Sequence, residues 1–211
     1  DGKGDKQKTT KDAEELRKEL EKHERKRLQG LKQRIEGMIE NNFALKQFKD
    51  QLLIEVTPEG LRIQIVDAHN RPMFDASSPE LKSYSKEILR QIGKVLGDPE
   101  IENRLSLSGH TDATQYGGGE KGFSNWELSA NRANAARREL IVGGLREGQV
   151  LRVVGSSSTV PYERSDPLNP INRRISILVL NKRTEEAMLQ EDGNVPLDFA
   201  EETESEANAA P

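Results

Sequence analysis

Cysteine is absent from the 211 residues, which excludes a disulfide scaffold, a zinc–thiolate site and a thiol nucleophile. Histidine is scarce, and His23, His69 and His110 lie far apart in sequence, so no metal site is expected. No apolar run approaches the ~20 residues that a membrane helix needs, and no signal-peptide pattern opens the chain. Aromatic residues make up only 4% and hydrophobic residues 33%, against 32% charged, a thin supply of core material. Part of the chain is therefore expected to be solvated helix or tail around a smaller packed unit. The first residue is Asp1 rather than Met, and a fragment of a longer protein is expected.

Charge is unevenly spread. Seven of the 36 acids fall in residues 191–211, where no base occurs, leaving 32 Lys and Arg against 29 acids in residues 1–190. That balance is too mild for a nucleic-acid footprint, and no nucleic-acid partner is expected. The acidic tail cannot bury enough apolar area to offset the entropy of ordering. Four segments follow: 1–10 loose, 11–50 a helical linker or tether, 51–183 the folded domain, and 184–211 a short helix followed by a disordered acidic tail.

Between Lys11 and Asn42 the chain lacks proline and pairs Glu14 with Lys18 and Glu21 with Arg25 at i,i+4, the spacing of a stable helix. Leu28, Leu31, Ile35 and Met38 follow a 3,4,3 rhythm, which docks that half on the domain or on a second copy of the chain. Upstream only Leu16 and Leu20 stand among charges. The domain reads as strands at 52–56 and 61–66 around the turn Thr57-Pro58-Glu59-Gly60, a helix at 79–96, and a strand at 104–109. A helix at 125–143 and strands at 151–154 and 174–180 complete it. This order predicts an α/β (α+β sandwich) fold, helices packed on a mixed sheet and preceded by a long N-terminal helix.

Two apparent motifs fail. The run Gly117–Gly122 holds Lys121 followed by Gly122 rather than Ser or Thr, so it is no phosphate loop and reads as a flexible surface insertion. Ser156-Ser157-Ser158 lacks the second glycine of a nucleophile elbow. The informative stretch is the strand end His110-Thr111-Asp112 followed by a helix opening at Ser124, where Ser124 and Glu127 form a capping box. That helix carries Leu128, Ser129 and Arg132 on one face and Ala133, Ala136 and Leu140 on another. Arg132 can therefore project towards the strand end bearing Asp112. The two can bridge each other; held a few ångströms apart, they can instead grip a zwitterion, the carboxylate taking an ammonium and the guanidinium a carboxylate.

Three ordered blocks give the sequence a likeness. Ser108-Gly109-His110-Thr111-Asp112, then Asn125-x-x-Leu128-Ser129-x-x-Arg132-Ala133, then Asn172-Arg173-Arg174-Ile175 resemble the OmpA-like peptidoglycan-binding family over about residues 61–181. Phe74 with Leu81 matches that family's first strand-to-helix junction. Gly60–Ile63, Asn70–Phe74, Gly119–Ser129 and Val150–Gly155 are similar to its MotB branch, the flagellar stator subunits, as is the long loop between Asp112 and Asn125.

The resemblance implies a non-catalytic chain that binds the diaminopimelate of a peptidoglycan stem peptide. Asp112 would hold its ammonium and Arg132 its carboxylate. Thr111 and Asn125 would line or shape the pocket, or merely tie down the loop. Leu128 and Ser129 would form the helical wall and Arg173 the far rim, since only one of Arg173 and Arg174 can face the pocket. Phe74 is expected to pack, and Asp75 to sit at the rim. The resemblance further implies a periplasmic anchor, a homodimer, and a MotA-type stator subunit reached through a membrane helix absent from this sequence, with no cofactor. Rival readings are an OmpA-like anchor of another envelope machine, and a wall hydrolase using Asp112 with His110, for which no second acid is evident.

Overall fold

The first helix, α1, runs from Lys3 to Asn41 in a computed structural model that describes residues 3–75, 77–115 and 122–191. The insertion at 116–121 and the acidic tail from residue 192 lie outside the described residues, as does the expectation made for each. α1 begins eight residues before the expected start, so the loose segment expected at 1–10 is helical backbone from Lys3 onward. The physical reason is that Lys3, Lys6, Gln7 and Lys8 are good helix formers, and Gly4 falls in the first turn, where propensity weighs least. Ion pairs at i,i+4, Glu14–Lys18 at 3.2 Å and Arg17–Glu21 and Lys32–Glu36 at 3.7 Å, line its exposed side.

The two halves of α1 differ. Leu16 and Leu20 are 59% and 62% exposed, whereas Leu28, Leu31, Ile35 and Ile39 are buried in the same apolar cluster as the strands. Ile39, rather than Met38, completes the stripe, because a 3,4,4 rhythm tracks a straight 3.6-residue helix where 3,4,3 drifts off it. The segment expected as a linker is thus half domain. Polar ties reinforce the docking: Arg34 pairs with Asp98 at 2.5 Å, and Glu24 accepts the backbone N–H of Lys182 at 2.9 Å. Asn42 ends α1 and caps the short α2, Phe43–Lys46, accepting from the Ala44 N–H at 3.0 Å.

Five strands follow, β1 (Leu52–Thr57), β2 (Gly60–Val66), β3 (Leu105–His110), β4 (Val150–Gly155) and β5 (Arg174–Leu180), with α3 (Ser83–Leu96), α4 (Asn125–Gly143) and α5 (Lys182–Glu191). The sheet order is β1-β2-β5-β3-β4, antiparallel except for the β3–β4 pair, which is parallel. Alternation sorts the residues by face. Leu61, Ile63, Ile65, Leu105, Leu107, Ile175, Ile177 and Val179 are fully buried in the core with α3 and α4. The opposite face carries polar side chains such as Arg62, Gln64, Ser106, Ser108, Arg174 and Ser176. The helices cross closely because Gly93 has no side chain: a Cβ there would stand 2.2 Å from the carbonyl oxygen of Leu140.

α3 opens at Ser83, four residues later than expected from Pro79. Residues 73–82 instead double back: Phe74 bridges Leu81, the Asp75 N–H donates to the Glu80 carbonyl, and Lys82 N–H donates to Met73. Leu81, read as a helical core position, is a buried strand-like one.

His110 closes β3 on the polar face, yet is buried, and its Nδ1 has no hydrogen-bond partner among the described residues. Burial, with the Arg174 guanidinium second, pulls its pKa from 6.5 down to about 4. The unfolded chain therefore binds the extra proton between those two values, and stability falls as pH falls through that window. Unfolding free energies from urea titrations between pH 7 and pH 4.5 are expected to drop by up to about 1.4 kcal/mol per pH unit, and less steeply in His110→Gln. For the helix, Ile35→Ala is expected to cost about 2–5 kcal/mol in one cooperative transition, and Leu20→Ala under about 0.5 kcal/mol. A separate early transition in Ile35→Ala would show that α1 melts alone.

Candidate functional site

The C-terminal end of β3 meets the start of α4 because both backbones come close at one point. A Cβ on Gly109 would lie 2.1 Å from the Ser129 carbonyl oxygen, so only glycine lets the helix sit against the strand here. Ser124 caps α4 by accepting from the Trp126 N–H at 3.2 Å, and Glu127 accepts the Ser124 N–H at 2.8 Å. The expected capping box is present, and it fixes where Asn125, Leu128 and Arg132 emerge.

Beyond β3 the chain is held by Thr111 N–H to the Ser157 carbonyl at 2.9 Å and Ala113 N–H to that of Pro167 at 3.0 Å. Asp112 Oδ1 accepts the Thr114 N–H at 3.1 Å, and the Asn125 amide donates to the Thr114 carbonyl at 2.8 Å. Asn125 therefore shapes the loop as well as facing the cavity. That cavity, about 550 Å³, is lined by Thr111, Asp112, Asn125, Leu128, Arg132 and Arg173. Six of the seven expected site residues converge.

Ser129 is the exception and a correction. It is fully buried and does not line the cavity; its hydroxyl donates to the Trp126 carbonyl at 2.9 Å and accepts the Ser157 N–H at 3.0 Å. It sits one residue round the helix from Leu128, which turns it towards the loop after β4 rather than the opening. Of the adjacent arginines, Arg173 faces the cavity, while Arg174 lies across the sheet, donating from Nε to Gln64 at 3.0 Å and from Nη2 to the Val160 carbonyl at 2.9 Å.

The charges are paired and positioned. Arg173 donates from Nε to Asp67 at 2.7 Å and from Nη1 to Asp112 at 2.6 Å. Asp67 is buried, and its other oxygen accepts the Met73 N–H at 2.7 Å. Desolvation raises the Asp67 pKa above the usual carboxylate range against the pull of Arg173. Burial works against the charge on Arg173, but its two carboxylates hold its pKa above the ordinary value. Arg132, 5% exposed, donates to the Ser78 carbonyl at 3.0 Å and lays its guanidinium 4.6 Å from the centre of the Phe74 ring. Asp75 pairs with Lys82.

Sequence reasoning missed Asp67 and Lys82 and set Asp75 only at the rim. Asp67 carried a signal: it is an acid ending an apolar strand, as Asp112 nearly is. With Asp67, Asp75 and Asp112 against Lys82, Arg132 and Arg173, the lining is balanced three to three. Such a wall suits a zwitterion better than a net charge. Among the described residues no cluster of His, Asp and Glu could hold a metal, and no helix is long and apolar enough to cross a membrane.

Residues 73–174, which carry most of this cavity, match the OmpA family. Motility protein B of Escherichia coli K12 is 48% identical over 194 residues, covering 90% of this chain and 61% of that protein. The chain thus spans about three fifths of the length of that curated relative. Among solved structures, a MotB-like protein from Desulfovibrio vulgaris superposes with a TM-score of 0.62 at 16% identity, over 77% of this chain and 99% of that one. The periplasmic domain of Helicobacter pylori MotB does so with a TM-score of 0.52 at 20% identity, over 66% and 98%. At those identities the structures speak for the fold alone. The chain carries an OmpA-family domain and is a homologue of Motility protein B.

Proposed function

We propose that this chain binds peptidoglycan without catalysis and anchors a flagellar stator to the cell wall. The observation that carries the reading is the gathering of Asp112 and Arg132, twenty residues apart in sequence, on the wall of one charge-balanced cavity. The amino-acid end of a diaminopimelate side chain presents an ammonium beside a carboxylate. Asp112 is the acceptor for the first: one oxygen takes the Thr114 N–H and the other Arg173, which leaves lone pairs on both for a further donor. Arg132 takes the second in a forked contact, steadied from behind by the Phe74 ring. Thr111, whose buried hydroxyl has no partner among the described residues, is a further donor or acceptor at the floor.

Hydrolysis is the poorer reading. The additional acids in the cavity are engaged: both oxygens of Asp67 are bonded, and Asp75 pairs with Lys82. Neither stands ready across a scissile bond. The 48% identity to Motility protein B favours the stator over another envelope machine. On this reading the domain works in the periplasm, the exposed half of α1 forms a tether and a homodimer contact, and a membrane segment outside this sequence joins a MotA-type subunit. The 25 residues from Lys3 to Arg27 would reach about 37 Å as helix.

Co-sedimentation with diaminopimelate-type sacculi tests the binding step. Arg132→Ala is expected to lose retention by tenfold or more, the worth of about 1.4 kcal/mol or more of charge-assisted contact, with its circular dichroism unchanged; undiminished pelleting would remove the assignment. Ser129→Ala is expected to do the opposite, losing about 1–3 kcal/mol of stability through the orphaned Ser157 N–H while still pelleting.

A further inference from the structure

The sheet face turned away from α3 and α4 holds a second cavity, about 340 Å³. Its floor is set by register. Arg62, Leu178, Ser106 and Arg152 stand in one row across β2, β5, β3 and β4; Gln64, Ser176, Ser108 and Val154 form the next; Arg174 and His110 face each other in the third. Serines in the middle of the rows leave a shallow trough, and arginines stand at its margins.

The trough has an unanswered positive charge. Arg62 is paired with Glu55 at 3.4 Å and Glu59 at 2.6 Å. Arg152 donates from Nε only to the Ser106 hydroxyl, at 3.1 Å. Arg174, 6% exposed, donates to Gln64 and to the carbonyls of Asn172 and Val160, all uncharged acceptors. Among the described residues neither Arg152 nor Arg174 has a carboxylate within ion-pairing distance. A buried guanidinium without a counter-charge is costly, and its neighbours register the cost. Burial, then Arg62, pulls the Arg174 pKa down to about 10, and burial, then Arg174, pulls that of His110 to about 4. His110 lines the trough with a buried Nδ1 that has no partner among the described residues.

We propose that this trough binds a small ligand through an oxyanion, a carboxylate or a phosphate group, held by Arg174 and Arg152 over the serine floor. The site is separate from the wall-binding cavity. Arg173 and Thr111 face one, while Arg174 and His110 face the other, so the two can fail independently. The chemistry fits the residues: guanidinium forks and hydroxyls donate to oxyanions, and among the described residues no acid pairs with Arg152 or Arg174.

Nuclear magnetic resonance of the 211-residue chain tests this, with the His110 ring resonances followed through titrations of inorganic phosphate, acetate and chloride at constant ionic strength. Saturable shifts with phosphate or acetate but not chloride are expected, and Arg152→Gln is expected to raise the half-saturation point about tenfold. Arg152 is half-exposed, so the remaining amide spectrum should stay unchanged, and sacculus retention should be unaffected. Shifts that match those with chloride, or a variant curve that overlays the parent, would overturn the site. Truncation after Glu191 identifies the source. A half-saturation point that drops severalfold makes the chain's own acids the resident oxyanion, and an unchanged one makes the ligand external; both outcomes support the site.

Discussion

One guanidinium joins three remote parts of the chain. Asp67 follows β2, Asp112 follows β3, and Arg173 precedes β5, and the sheet order places β5 between β2 and β3. A cation entering the central strand therefore arrives between two acids leaving its neighbours. Arg173 meets them at 2.7 Å and 2.6 Å, across 106 and 61 residues of sequence. The triad is a poor source of stability, because two carboxylates and part of a guanidinium leave water to form it. The raised pKa of Asp67 is the trace of that desolvation. Its effect is positional: Arg173 fixes the orientation of Asp112, which on the proposed reading is preorganisation for a ligand.

The period of two in a strand turns this constraint into a division of labour. Arg173 and Arg174 are neighbours in sequence and belong to opposite sides of the sheet, as do Thr111 and His110. A slip of β5 by one residue would exchange the arginines and carry Ile175, Ile177 and Val179 out of the core. The apolar alternation of β5 thus protects the charge pattern at its end. The burial of three full side chains outweighs the preference of any one ion pair.

That alternation is also why much of the fold could be read from the sequence. Ile63, Ile65, Ile175 and Val179 announce a buried face by spacing alone, and Ser124 with Glu127 announces the start of α4. What could not be read depends on partners that sequence proximity does not supply. Leu81 fits a helical stripe from Pro79 but pairs with Phe74 instead, which delays α3 to Ser83. Ser129 shares a helical face with Arg132, yet a loop twenty-eight residues away claims its hydroxyl. Asp67 had no motif around it, and only the position of β5 gives it a role. Arg132 and Asp112 could be brought together from the sequence because β3 and α4 are consecutive elements, and Gly109 lets the two pack closely across the long loop between them.

α1 determines how force would enter the domain. On the proposed reading, a load applied through the tether must pass into the domain without unravelling it. A hinge of loop residues would transmit little torque, but Leu28 to Ile39 lie in the same apolar cluster as β1 and β2, and Arg34 and Glu24 clamp the flank. A pull along α1 then shears a packed interface, loading many contacts at once, instead of peeling contacts one by one. α1 packs on β1 and β2, and β2 is followed by Asp67, the acid that pairs with Arg173 beside Asp112. On that reading the path from tether to the proposed wall-binding cavity runs through packed helix, paired strand and one ion triad.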